Sequence, residues 1–115
     1  MASSAVSNVL NSSVVGLQWT IPDPENRTYK LFQYLPVNFT IEEIYYELDS
    51  GTCSLNVRLE AVSVGGFSSL SATTTEQSAS ASSNNDASVG ETLDLVVSSV
   101  SGADMLSLTI IGTET

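Results

Sequence analysis

Histidine is absent from this chain of 115 residues, and with it the side chain most used for proton transfer near neutral pH and the commonest metal ligand. Ser-His-Asp and Cys-His nucleophilic machinery and histidine-based zinc sites are therefore excluded. Cys53 is the one cysteine, so no internal disulfide can staple the fold. Basic side chains number three, Arg27, Lys30 and Arg58, against 13 acidic ones, for a net charge of −10. Such a field repels phosphate backbones, so nucleic acid is not an expected partner, and three cations are too few for an anion site. Long apolar runs are missing too. The start, Met-Ala-Ser-Ser-Ala-Val, has neither the basic stretch nor the apolar segment of a secretory signal, so no leader, no membrane span and synthesis in the cytoplasm are expected.

What remains is a chain that is 42% hydrophobic but only 14% charged, against about 25% charged in ordinary globular proteins. The apolar content suffices for one core, and the solvated faces must be built from Ser, Thr and Asn. We expect an extended arm over residues 1–13, with Val6, Val9 and Leu10 as apolar points able to dock on a neighbouring subunit, and one domain over 14–115.

Within that domain Val14 to Ile21 reads as a strand, and Pro22-Asp23-Pro24-Glu25-Asn26 as a loop. Thr28 to Leu35 carries bulky groups on both faces before Pro36 breaks the run. Val37 to Leu48 fits either helical or strand spacing. Its β-branched and aromatic content favours a strand, and the switch from a Val37-Phe39-Ile41 face to an Ile44-Tyr46-Leu48 face is what a bulge near Glu42-Glu43 produces. After an Asp49-Ser50-Gly51 turn, Cys53, Leu55, Val57 and Leu59 alternate with Thr52, Ser54, Asn56 and Arg58, which places the first set, Cys53 included, in the core.

Gly65-Gly66 allows a tight turn, Phe67 to Gln77 follows as a strand, and the Ser/Ala/Thr tract from Ser78 to Ser88 reads as polar strands around a turn at Asn84-Asn85-Asp86. Leu93, Leu95 and Val97 form one face of the next strand. Ser101-Gly102-Ala103-Asp104 then turns the chain into Leu106, Leu108 and Ile110, so that the last two runs suggest an antiparallel hairpin. In sum the pattern predicts an all-β, antiparallel β-sandwich of about eight strands with jelly-roll topology, an immunoglobulin-like order being the runner-up.

Candidate chemistry is sparse. Glu42, Glu43 and Glu47 form the densest acidic cluster, but neighbours on a strand point to opposite faces, so Glu42 and Glu43 cannot share a substrate, and a solvated strand edge explains them. Asp23, Glu25 and Asn26, or Asn84, Asn85, Asp86 and Glu91, offer oxygen ligands to a hard cation. Neither set has EF-hand spacing, and turn chemistry accounts for both, so no metal and no cofactor are expected. Asn-X-Ser/Thr triplets at Asn11, Asn26 and Asn38 carry no weight in a chain so rich in hydroxyls. All aromatics except Phe67 lie before residue 50. Aromatic faces beside carboxylates suit sugar stacking, but a core or subunit interface is the preferred reading. Val6, Val9, Leu10, Trp19, Tyr29, Phe32, Tyr34 and Tyr45 are thus the expected contact residues.

Several stretches together carry a family likeness: Tyr34-Leu35-Pro36-Val37-Asn38-Phe39-Thr40-Ile41, Asp49 through Val57, Val62-Ser63-Val64-Gly65-Gly66-Phe67-Ser68-Ser69-Leu70, Ala87 through Val97, and Ser101 through Leu108. Across about residues 29–111 the chain resembles a small β-sandwich module of tailed-bacteriophage virion proteins. It departs from the usual pattern at Glu60-Ala61, where relatives tend to carry a turn pair such as Asn-Gly, and at Glu114, which replaces a basic ending. The resemblance implies a non-enzymatic structural role in the virion, as a capsid decoration or head-fibre-type subunit on the outer head surface. Its expected partners are the major capsid protein or other virion proteins, without nucleic acid or membrane. The beginning at Met1 suggests a complete small protein rather than the end of a long fibre chain. A homo-oligomer is expected, and a trimer fits. The alternative is a tail-fibre or tail-tip module that binds host-surface carbohydrate.

Overall fold

Alternation decides which side chains go inside. In the computed structural model, which describes residues 14–115, Cys53, Leu55, Val57 and Leu59 are all buried, as are Leu93, Leu95 and Val97 and Leu106, Leu108 and Ile110. Burial of the Cys53 thiol pushes its pKa up, which disfavours the thiolate form. Ten strands result among the described residues: β1 (Val14–Ile21), β2 (Arg27–Phe32), β3 (Phe39–Glu47), β4 (Ser50–Leu59), β5 (Val62–Ser63), β6 (Leu70–Ala72), β7 (Gln77–Ser80), β8 (Asp86–Ala87), β9 (Leu93–Asp104) and β10 (Leu106–Glu114). Every pairing between them is antiparallel. Among the described residues no helix is long and apolar enough to cross a membrane.

One sheet runs β1-β10-β3-β7 with β8 also on β3, and the other runs β2-β9-β4-β5 with β6 also on β4. Because β5 and β6 share one side of β4, and β7 and β8 one side of β3, the ten strands fill eight positions. Their order is that of a jelly roll, in which consecutive positions alternate between sheets except from β4 to β5. An immunoglobulin-like order is excluded. The core lies between the layers, with Phe39, Ile41, Ile44, Leu48, Leu55 and Leu95 among its fully buried members.

The expected bulge in β3 is present. Ile111 of β10 pairs with Glu43 and Gly112 pairs with Ile41, so Glu42 is the extra residue, and the buried face switches there from Phe39 and Ile41 to Ile44 and Tyr46. One consequence corrects the sequence reading of the acidic cluster. Both Glu42 and Glu43 point outward, since Glu42 accepts a hydrogen bond from Thr113 Oγ1 at 3.0 Å and Glu43 from the Tyr45 hydroxyl at 3.3 Å. The bulge cancels the alternation that would otherwise separate them.

Three other expectations fail. The last two strands are not a hairpin: β9 pairs with β2 and β4, β10 with β1 and β3. The turn residues Ser101–Asp104 lie inside β9, where register shifts against β4 and positive φ at Ser99 and Gly102 mark bulges, and the chain changes sheet at Met105. No continuous strand spans Phe67 to Gln77, because Phe67 sits in a loop, Leu70–Ala72 is a short strand of one sheet and Gln77 opens β7 of the other. Finally, β2 stops at Phe32, with a register irregularity at Leu31, and Leu35 is buried in the following loop.

The Glu60-Ala61 turn closes the β4–β5 hairpin with Leu59 opposite Val62 although both residues have positive φ, 50° and 65°. L-residues are strained there. Glu60 is retained by two bonds to Thr92, its N–H donating to the carbonyl at 3.0 Å and its carboxylate accepting from the N–H at 2.7 Å. Ala61 has no such compensation among the described side-chain bonds. Ala61→Gly is therefore expected to stabilise the protein by about 1 kcal/mol and to raise the melting temperature by roughly 4 °C, read by calorimetry.

Candidate functional site

The two long sides of the sandwich differ. On one, Gly65 of the β5–β6 loop bridges to Ser83 between β7 and β8, with Gly65 N–H donating to Ser83 O and Ser82 N–H donating to Gly65 O, both at 2.8 Å. The glycine pair makes this possible: a Cβ on Gly65 would lie 2.1 Å from Ser83 Oγ, and Gly66, at φ +91°, 2.3 Å from Ser80 O. Backbone hydrogen bonds thus stitch the two sheets together along this side.

The opposite side is formed by β1 and β2, each with one strand neighbour among the described residues. Here the layers meet through side chains. Trp19 of β1 stands edge-on to Phe32 of β2, ring centroids 5.8 Å apart at 80°. The Arg27 guanidinium lies 5.1 Å from the centre of the Tyr29 ring, whose hydroxyl accepts the Glu25 N–H at 2.8 Å. Three of the predicted contact residues, Trp19, Tyr29 and Phe32, are therefore brought to one open side, half-buried against the core.

Tyr34 and Tyr45 lie elsewhere. Tyr34 is 66% exposed beside Gly90 and the 47%-exposed Val89, in the loops linked by the Leu35 N–H bond to Glu91 O and the Gly90 N–H bond to Leu35 O. This is the end of the sandwich at which the described residues begin and end: Val89 N–H donates to Asn38 Oδ1, Thr115 N–H to Asn38 O, and Val14 pairs with Thr113. Tyr45 sits on the outer face of the β1-β10-β3 sheet, in a shallow depression of about 180 Å³ with Gln18, Glu47, Glu76, Ser107 and Thr109. The Glu43 carboxylate beside it, and the bond Tyr45 donates to that carboxylate, hold its phenol above the ordinary pKa. Val6, Val9 and Leu10, with the rest of the expected arm, lie outside the described residues.

Five of the seven side chains weighed as cation ligands are engaged in turns and ties. Asn26 Oδ1 accepts from Val100 N–H, Asn84 donates to the carbonyls of Val62 and Ser63, Asn85 donates to Ile41 O, Asp86 accepts from Thr40, and Glu91 accepts from Ser88 N–H. No group of three or more metal-binding side chains occurs among the described residues.

Sequence reasoning missed one polar feature. Asp94, within an apolar stretch of β9, is buried at 7% exposure and takes a two-pronged contact from Arg58 across the β4–β9 ladder, 2.8 and 3.1 Å, with Lys30 in register on its other side. The signal was available: a carboxylate between two inward leucines of a strand, Leu93 and Leu95, needs a cation opposite if it is buried. Arg58→Met leaves that carboxylate unpaired and is expected to cost about 2 kcal/mol in urea unfolding. Asp94→Asn is expected to cost about 1 kcal/mol, because the more exposed guanidinium can turn to water.

Neither a protein-family model nor a curated protein matches the chain.

Proposed function

We propose that the protein is a non-enzymatic structural subunit of a tailed-phage virion, a capsid decoration or head-fibre-type protein on the outer head surface. The observation that carries this reading is the end of the sandwich where Val14 and Thr115 lie. The most exposed aromatic, Tyr34, and the exposed Val89 share that end, so the apolar points of residues 1–13 and an exposed apolar patch can engage one neighbour together. The jelly roll supports the reading as a fold-level analogy, being used by capsid and lectin domains alike. An acidic, hydroxyl-rich exterior suits a solvent-facing layer and disfavours contact with packaged DNA. The partner in this reading is the major capsid protein or another virion protein.

Co-sedimentation of the full chain with capsids lacking it is the test. Wild-type protein binds, and Tyr34→Ser combined with Val89→Ser weakens binding at least about tenfold at unchanged folding. Absence of capsid binding by the wild type overturns the proposal. A second reading, a glycan-binding tail-fibre or tail-tip module, rests on the Tyr45 depression, where an aromatic side chain lies among Gln18, Glu47 and Glu76. Binding on a glycan array that is lost in Tyr45→Ala favours it over the decoration role.

A further inference from the structure

A sandwich that is not closed into a barrel has edge strands, and an edge left unguarded pairs with another chain. Three of the four edge positions here are blunted. β5 and β6 have two and three residues, β7 and β8 four and two, and β2 carries Arg27 and Lys30 and loses register at Leu31. The fourth, β1, is eight residues long, Val-Val-Gly-Leu-Gln-Trp-Thr-Ile, with no charge and no proline, and in unbroken register with β10. Its outer side has no strand partner among the described residues.

Charge selects the occupant. A second copy also carries −10, so two copies can meet only where that charge is missing. Together β1 and β10 hold one charged side chain, Glu114, near the end of the last strand, whereas β3 holds Glu42, Glu43 and Glu47. Residues 1–13 are the rival occupant, but a strand there would put only Val6 and Leu10 on one face, with Asn8 between them and Val9 on the other. β1 does alternate: Val15, Leu17, Trp19 and Ile21 are half-buried inward, Gln18 and Thr20 exposed outward.

We propose that β1 pairs antiparallel with β1 of a second copy about a two-fold axis, joining the two β1-β10-β3 sheets into one. A two-fold axis normal to the sheet keeps inward residues on the inward side, so Leu17 and Trp19 of one copy extend the core of the other, and the open flank with its aromatic contact is covered. The contact is isologous and closes at two copies, unlike a threefold arrangement. It does not depend on the virion reading.

The test is sedimentation equilibrium of the full chain and of three variants whose folding is verified by circular dichroism. Gln18→Lys/Thr20→Lys and Gln18→Glu/Thr20→Glu place like charges around the axis at exposed positions that the folded monomer tolerates. Val6→Ser/Val9→Ser/Leu10→Ser removes the apolar points of the N-terminal segment. The expected result is a wild-type dimer, an increase of at least about tenfold in its dissociation constant for both charge variants, and no change for the N-terminal variant. A monomeric or trimeric wild type overturns the proposal, as does a dimer that survives both charge pairs. Dissociation caused by the N-terminal variant overturns it in favour of pairing by residues 1–13. Loss of capsid binding with the dimer intact would bear on the functional proposal alone.

Discussion

Truncating Phe67 to alanine is expected to cost about 4 kcal/mol, a large share of the roughly 5–15 kcal/mol that holds a domain of this size. The residue lies in a loop, yet its side chain is fully buried. The backbone holds it there. Its N–H donates to Val64 O at 2.9 Å across the glycine turn, and its carbonyl accepts the Val57 N–H at 3.0 Å, continuing the bonding of β4 across the gap between β5 and β6. The loop therefore cannot simply move in to fill the space left by the ring, so both lost transfer energy and a residual cavity contribute. Tyr34→Ala, at an exposed aromatic, is expected to change stability by less than about 0.5 kcal/mol. Urea unfolding of the two variants separates burial from aromaticity; a Phe67→Ala loss near that of Tyr34→Ala would refute the placement.

Gly112→Ala is expected to cost about 3 kcal/mol, with loss of the folded state for Gly112→Val. The cause is space. Opposite the β3 bulge, a Cβ at Gly112 would lie 2.2 Å from Thr40 O and 2.8 Å from Phe39 Cδ2, and Phe39 is among the largest fully buried side chains. Backbone and core ring would both have to yield. At Gly16 on β1 an added Cβ meets nothing within 4 Å, so Gly16→Ala is expected to be neutral or slightly stabilising. With urea slopes of about 1–3 kcal/mol per molar, the Gly112→Ala midpoint should fall by roughly 1–3 M while that of Gly16→Ala stays in place.

Such pairs show why some of this fold was legible in sequence and some was not. Period-two alternation reports a residue's face, and it placed Cys53 through Leu59 and the Glu42 bulge correctly because one side of each strand is core. Alternation says nothing about which strand lies alongside. In a jelly roll most consecutive strands belong to opposite layers, so a short link such as Met105 can be a corner between sheets as readily as a hairpin turn. Ser101-Gly102-Ala103-Asp104 has turn composition because a bulge also needs left-handed backbone, which Gly102 supplies at φ 62°. Phe67 reads as the start of a strand after the Gly65-Gly66 turn, whereas its burial comes from a loop tied at both ends.

The candidate contact residues divide on the same lines. Trp19, Tyr29 and Phe32 meet because β1 and β2 face each other across the layers, a juxtaposition that follows from topology and not from spacing. Tyr34 and Tyr45 belong to an end loop and to an outer sheet face. The Arg58–Asp94 pair escaped notice because each residue was read on its own strand, while its meaning lies in the register between β4 and β9.

The pairing of Val14 with Thr113 has a practical consequence for handling the molecule. A reporter or purification tag fused after Thr115 emerges at the pole where Tyr34 and Val89 lie, and would shield that pole from whatever approaches it. The far pole is where Ile21 meets Leu106 and the Asp49 N–H bonds Asp104 O. Foreign peptides grafted there, between Ile21 and Arg27 or beside Met105, would be displayed away from Tyr34, Val89 and Thr115.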